Sequence, residues 1–227
     1  MEGIARGVKP FLRFGRRKSP LVFESPIWQD ARVPAKSQPV VLIHGLKDNA
    51  HKMRHLARHL QGEGWEPHAC TLAPSWGQLG IDQLAAQLDA FIRERVPAET
   101  PVDLVGFSMG GLVGRYYLQR MNGLERVRRF VTIATPHRGT VMAYFVNNPG
   151  CRQMRPGSPF LRDLERDADR LAAVGFTSLW TPLDAIILPS QSSVLPEARC
   201  RRLWSLGHPF MITEPHCLRA VAEALRG

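Results

Sequence analysis

Two periodicities alternate along most of this chain. Short unbroken apolar runs recur, and Val40-Val41-Leu42-Ile43 is the first convincing one. A continuous β-branched run without polar alternation is the pattern of a strand buried on both faces of a parallel sheet. Between such runs the apolar positions fall at helical spacing. Met53, Leu56, Ala57 and Leu60 make one stripe that stops at Gly62 and Gly64, and Ile81, Leu84, Ala85, Leu88, Phe91 and Ile92 make another that must end before Pro97. Further strands are expected at 65–72, 102–107, 128–134, 176–180 and 202–206, with a helix at 112–121 and a closing helix carrying Leu218, Val221, Ala222 and Leu225. Parallel strands need crossover connections, so the succession predicts an α/β fold, with a mostly parallel central sheet and helices on both faces.

Two segments break the rhythm. Residues 1–37 are rich in Pro, Arg and Lys and read as a basic N-terminal arm ahead of a single domain at 38–227. In the arm, Ile4, Val8, Phe11 and Leu12 lie at helical spacing beside Arg6, Lys9 and Arg13, a pattern that suits peripheral contact with an anionic membrane; an arm packed along the domain is the competing reading. Residues 138–175 carry clusters of Gly, Pro and Asn before a charged helical stretch at 159–171, and read as a short cap-like insertion.

Composition narrows the function classes. With 227 residues, 44% of them apolar, the chain can bury one sizeable core, and its formal net charge of +10 favours acidic surfaces. No zinc-ligand spacing or nucleic-acid signature accompanies that charge, so no nucleic acid partner is expected. No apolar run spans a bilayer, and Arg13, Arg16, Arg17 and Lys18 interrupt what a signal peptide would need, so the expected location is cytoplasmic or peripheral to the inner membrane. Cys70, Cys151, Cys200 and Cys217 form neither a CxxC pair nor a metal array; reduced thiols are expected, with a Cys200 to Cys217 bridge as the alternative.

The chemistry enters at Gly106-Phe107-Ser108-Met109-Gly110-Gly111, a G-x-S-x-G motif at the junction of an expected strand and an expected helix. A serine on such a turn sits in strained backbone with its hydroxyl pushed clear of the sheet, and the helix behind it aims its N-terminal dipole at a developing oxyanion. Ser108 is therefore the candidate nucleophile. A serine hydroxyl needs a base, and the base needs an orienting acid, which follow an elbow of this kind in the order acid, then His. Asp184 lies just past the strand at 176–180 and precedes His208, which lies just past the strand at 202–206. They are preferred over Asp163, Asp167 and Asp169, which fall on the charged helix, over His137, which reads as a structural loop residue, and over His216, at the start of the last helix. Backbone N–H groups of Met109 and of Leu46, in Ile43-His44-Gly45-Leu46, are the expected oxyanion donors, with His44 as scaffold.

These pieces, with Ala134-Thr135-Pro136-His137-Arg138-Gly139-Thr140 and Gly207-His208, resemble the bacterial triacylglycerol lipase and esterase group of the α/β-hydrolases over roughly residues 39–226. The resemblance implies an α/β-hydrolase fold and hydrolysis of a small-molecule acyl ester or lipid. It implies Ser108, Asp184 and His208 as triad, an apolar acyl pocket and no organic cofactor; some members carry a structural calcium, but no carboxylate cluster here requires one, so no metal is expected. The insertion is short and basic, unlike a large hydrophobic lid. Two other readings stand beside it: a thioesterase or acyltransferase on the same triad, and a non-catalytic module binding membrane surfaces.

Overall fold

The computed structural model describes residues 38–227. The basic arm, with its amphipathic stretch, lies outside the described residues. Six parallel strands form one sheet: β1 (Gln38–Ile43), β2 (Trp65–Cys70), β3 (Val102–Phe107), β4 (Val127–Ile133), β5 (Gly175–Trp180) and β6 (Arg199–Arg202), in the order β2-β1-β3-β4-β5-β6. Helices α1 (Arg54–Gly62) and α2 (Ile81–Arg95) follow β1 and β2, and α3 (Met109–Arg120) follows β3. The 138–175 region contributes the short helices α4 (Pro149–Gln153) and α5 (Pro159–Glu165), and α6 (Pro215–Arg226) closes the chain.

The sheet divides the core into two layers. On one side Val41, Ile43 and Leu104 pack under α2 and α3 through Leu84, Leu88, Leu112 and Val113. On the other, Val40, Leu42, Val105 and Val131 pack under α1 and α6 through Leu56, Leu60, Val221 and Leu225. Alternate residues of β1 thus serve opposite layers, which explains its unbroken apolar run. Among the described residues no helix is long and apolar enough to cross a membrane, and Cys70, Cys151, Cys200 and Cys217 are free.

Two expectations need correction. The charged stretch at 159–171 is not one helix: α5 ends at Glu165 and a 3-10 segment spans Ala168–Ala173. The last strand lies at Arg199–Arg202, four residues that are all exposed, rather than at 202–206. Charge is what a sheet edge tolerates, because it discourages further pairing. Leu203 donates one more hydrogen bond to the Trp180 carbonyl, at 2.8 Å, and then the chain leaves the sheet with Trp204 and Leu206 facing solvent.

The chain runs from β1 outward to β2, then returns across β1 to start β3. The loops leaving β1 and β3 therefore diverge at their carboxyl ends and open a crevice, the usual ligand site of an open α/β sheet.

Candidate active site

Ser108 stands at that crevice, between the end of β3 and the first residue of α3, with φ 53° and ψ −123°. Its amide donates to the Ile133 carbonyl at 2.8 Å, which ties the turn to β4. The flanking glycines are steric requirements. A Cβ on Gly106 would lie 2.5 Å from Gly111 Cα, and one on Gly110 would lie 2.4 Å from the Ile43 carbonyl oxygen. Both obstacles are backbone, so no side chain can yield to make room.

Asp184 and His208 come together from the loops after β5 and β6. His208 Nδ1 and Asp184 Oδ2 are 2.7 Å apart, and both residues are buried. The other carboxylate oxygen accepts the backbone N–H groups of Ile186, at 2.8 Å, and Ile187, at 2.9 Å. This is an Asx turn, and it holds the carboxylate by backbone donors independent of the histidine. Gly207, at φ 142°, turns the chain into His208, whose ring lies 4.8 Å from that of Phe107, the neighbour of Ser108. With Nδ1 engaged by the carboxylate, Nε2 is the nitrogen left for proton exchange.

The loop after β1 presses on Ser108. A Cβ at Gly45 would sit 3.1 Å from Ser108 Cβ, and Gly45 and Leu46 both line the same cavity as Ser108. His44 holds this loop. Its Nε2 accepts the Leu72 N–H at 2.9 Å, which requires the tautomer with the proton on Nδ1, and Nδ1 then donates to the Gly45 carbonyl at 2.8 Å. Burial pushes the His44 imidazole below its ordinary range, keeping it neutral in that double role. Met109 opens α3, so its N–H belongs to the helix-end amides without an intrahelical partner.

The cavity has a volume of about 380 Å³ and is walled largely by Met142, Phe145, Val146, Met154, Ile186 and Ile187, with Lys47, Asp48 and Lys52 on its polar side. Ser108 and His208 line it too. The structure thus gathers Ser108, Asp184, His208, Leu46 and Phe107 at one crevice, with Met109 beginning the helix behind it.

The other histidines lie elsewhere. His137 is wholly buried, with Nε2 3.0 Å from Thr132 Oγ1, and burial drives its pKa well down. His216 sits in the first turn of α6 beside Glu214 and Cys217, a group of ligand-type side chains within 4.8 Å of one another, none of which lines the cavity. Two features escaped the sequence pattern. Arg115, fully buried in α3, donates to the Leu164 carbonyl at 2.8 Å and the His137 carbonyl at 3.2 Å, and so fastens the insertion to the body. A single arginine in an apolar helix carries no signal of such partners. The insertion also supplies much of the cavity wall, which its Gly, Pro and Asn content concealed.

Residues 39–163, more than half of the chain, match the family model described as palmitoyl protein thioesterase. A triacylglycerol lipase of Pseudarthrobacter phenanthrenivorans is 32% identical over 123 residues, covering 50% of this chain and 38% of that protein. The human lysosomal thioesterase PPT2 is 31% identical over 113 residues, covering 46% of this chain and 36% of that protein. The matches thus span little more than a third of these curated relatives. Among solved structures, the mature Bacillus licheniformis lipase BlEst2 superposes with a TM-score of 0.71 at 18% identity, covering 86% of this chain and 94% of that one. At that identity the likeness establishes the fold, and the parallel sheet with its covering helices is an α/β-hydrolase fold.

Proposed function

This chain belongs to the palmitoyl protein thioesterase family, and on that premise we propose that it is a serine hydrolase that cleaves acyl esters through an acyl-Ser108 intermediate. The observation that carries the reading is the 2.7 Å contact of His208 Nδ1 with Asp184, made at the mouth of a cavity that Ser108 and His208 share.

In the proposed cycle, His208 Nε2 takes the Ser108 hydroxyl proton as Oγ attacks the acyl carbon. Asp184 holds the imidazole in register and stabilises the imidazolium. The backbone N–H groups of Leu46 and Met109 receive the negative oxygen of the tetrahedral intermediate, aided by the α3 dipole. Collapse breaks the bond to the leaving oxygen or sulfur, which takes the proton from His208 and departs. Water then enters, gives a proton to His208, attacks the acyl-serine carbonyl and releases the acid, and the proton returns to Ser108. The apolar wall of Met142, Phe145, Met154 and Ile187 suits the hydrocarbon part of the acyl group.

The family match favours a second reading of the leaving group, namely a thioester in place of an oxygen ester. Both use the same residues, and they separate on substrate. Rates on matched p-nitrophenyl esters and acyl-thioesters, measured for the protein and for Ser108→Ala, are expected to be substantial for at least one series and lost in the variant. Turnover that survives in Ser108→Ala contradicts the proposal.

A further inference from the structure

The large apolar side chains that reach solvent among the described residues are all at one edge of the molecule. Trp76 leaves the loop after β2, Tyr144 and Phe145 the loop after β4, Leu183 the loop after β5, and Trp204 and Leu206 the loop after β6. Four others, Val141, Val146, Ile186 and Phe210, belong to the same loops. Because the six strands are parallel, these loops all emerge at the carboxyl end of the sheet, where the cavity opens; Phe145, Val146 and Ile186 also line it. Phe145 is 80% and Leu206 76% exposed, values that leave whole side chains in water. Scattered exposed residues are ordinary on a protein surface, whereas large exposed apolar side chains gathered on the loops around one opening mark a contact surface.

The chemistry of the ring says what it contacts. Its three large polar-edged aromatics each carry a cation on the ring face: Lys47 Nζ lies 4.9 Å from the centroid of Trp76, Arg155 Cζ 5.1 Å from Tyr144, and Arg202 Cζ 5.3 Å from Trp204. Lys52 and Arg138 add charge on the same edge, where Asp48, Asp82 and Glu214 are partly exposed carboxylates, Asp82 accepting from Gln153, and Asp184 is engaged by His208. A protein partner would match apolar side chains to a shaped surface. Tryptophan and tyrosine capped by Lys or Arg instead suit the boundary of a bilayer, where rings sit at headgroup depth and cations meet phosphate.

We propose that this edge docks on an anionic phospholipid surface, so that the acyl group enters the cavity directly from the lipid phase. The proposal rests on the reading of the site as an acyl hydrolase, and it names the physical state of the substrate that this reading leaves open. Docking puts the cavity mouth against the headgroups, with Phe145 and Leu206 below them and Lys47, Arg155 and Arg202 at phosphate level. Among the described residues nothing covers the ring.

The test is co-sedimentation of the full chain with vesicles of phosphatidylcholine and of phosphatidylcholine mixed with phosphatidylglycerol. The proposal expects binding at least about tenfold tighter to the mixed vesicles, reflecting several cations at the surface. Tyr144→Glu/Trp204→Glu is expected to lose that binding by about tenfold or more while keeping its hydrolysis of a short soluble ester. Arg199→Glu, which changes the net charge by the same amount at the opposite end of the sheet, is expected to retain most of it. Equal losses in the double variant and in Arg199→Glu mean attraction by overall charge and overturn the proposal, as does binding indifferent to the double change. Trp204→Ser alone carries the test if the double variant does not fold. Ser108→Ala is included because it keeps docking whatever its activity: bound but inert wild-type protein sinks the hydrolase reading, and active but unbound protein sinks the docking surface.

Discussion

Ser108 adopts a backbone conformation that costs an L-residue about 1–3 kcal/mol, and the surrounding close contacts hold it there. Gly110→Ala drives a methyl into the Ile43 and His44 carbonyls, so it is expected to destabilise the fold by more than about 2 kcal/mol in urea titration and to lower activity together with stability. Asp184→Asn keeps the shape of the Asx turn and removes the charge beside His208. The proposed cycle expects it to lower kcat by about 10³ to 10⁴ with little change in melting temperature; a loss under about tenfold would detach Asp184 from the chemistry. That Ser108 and Asp184 stand at strand exits was legible because the ends of β3 and β5 show as breaks in apolar runs, whereas His208 was placed after an apolar run, Leu203–Leu206, that is not the edge strand. His44 was legible as scaffold from its place at the end of β1, but the Leu72 N–H that it accepts comes from a different strand's exit and has no trace in local sequence.

At the scale of elements, the alternation of buried strands and amphipathic helices identified nearly every strand and helix of the body. It failed where exposure has a purpose. Leu203-Trp204-Ser205-Leu206 reads as a strand because it is apolar, yet Trp204 and Leu206 belong to the exposed ring, and the real edge strand hides in the charged run Arg199–Arg202. The segment at 138–175, which reads as a cap-like insertion, contributes Met142, Phe145, Val146 and Met154 to the cavity wall and is held down by Arg115. That guanidinium bonds the carbonyls of Leu164 and His137, the side-chain oxygen of Gln119 and Glu165. Arg115→Ala orphans several buried acceptors at once and is expected to cost about 3 kcal/mol or more by urea unfolding. A cost below about 1 kcal/mol would mean that the insertion docks through its apolar contacts alone.

For the whole molecule, stability should depend on pH through its buried imidazoles. Burial holds His44 and His137 below the ordinary value of 6.5, so the unfolded chain binds protons more readily than the folded one. Their contribution is therefore present above 6.5 and is lost as pH falls below it. Thermal unfolding is expected to give a lower melting temperature as the solution is acidified through that range, and His137→Gln is expected to flatten the slope. An unchanged slope in the variant would assign the acid sensitivity to other groups. Among the described residues the exposed large apolar side chains gather at the carboxyl end of the sheet, a polarity visible only once parallel strands bring distant loops together.

The most direct test of the central claim is labelling with a fluorophosphonate probe followed by peptide mass spectrometry. The account predicts one adduct, on Ser108, at a rate comparable with that of an active serine hydrolase, strongly slowed in His208→Ala and absent in Ser108→Ala. An adduct on another residue, or none under conditions that label a control lipase, would contradict it.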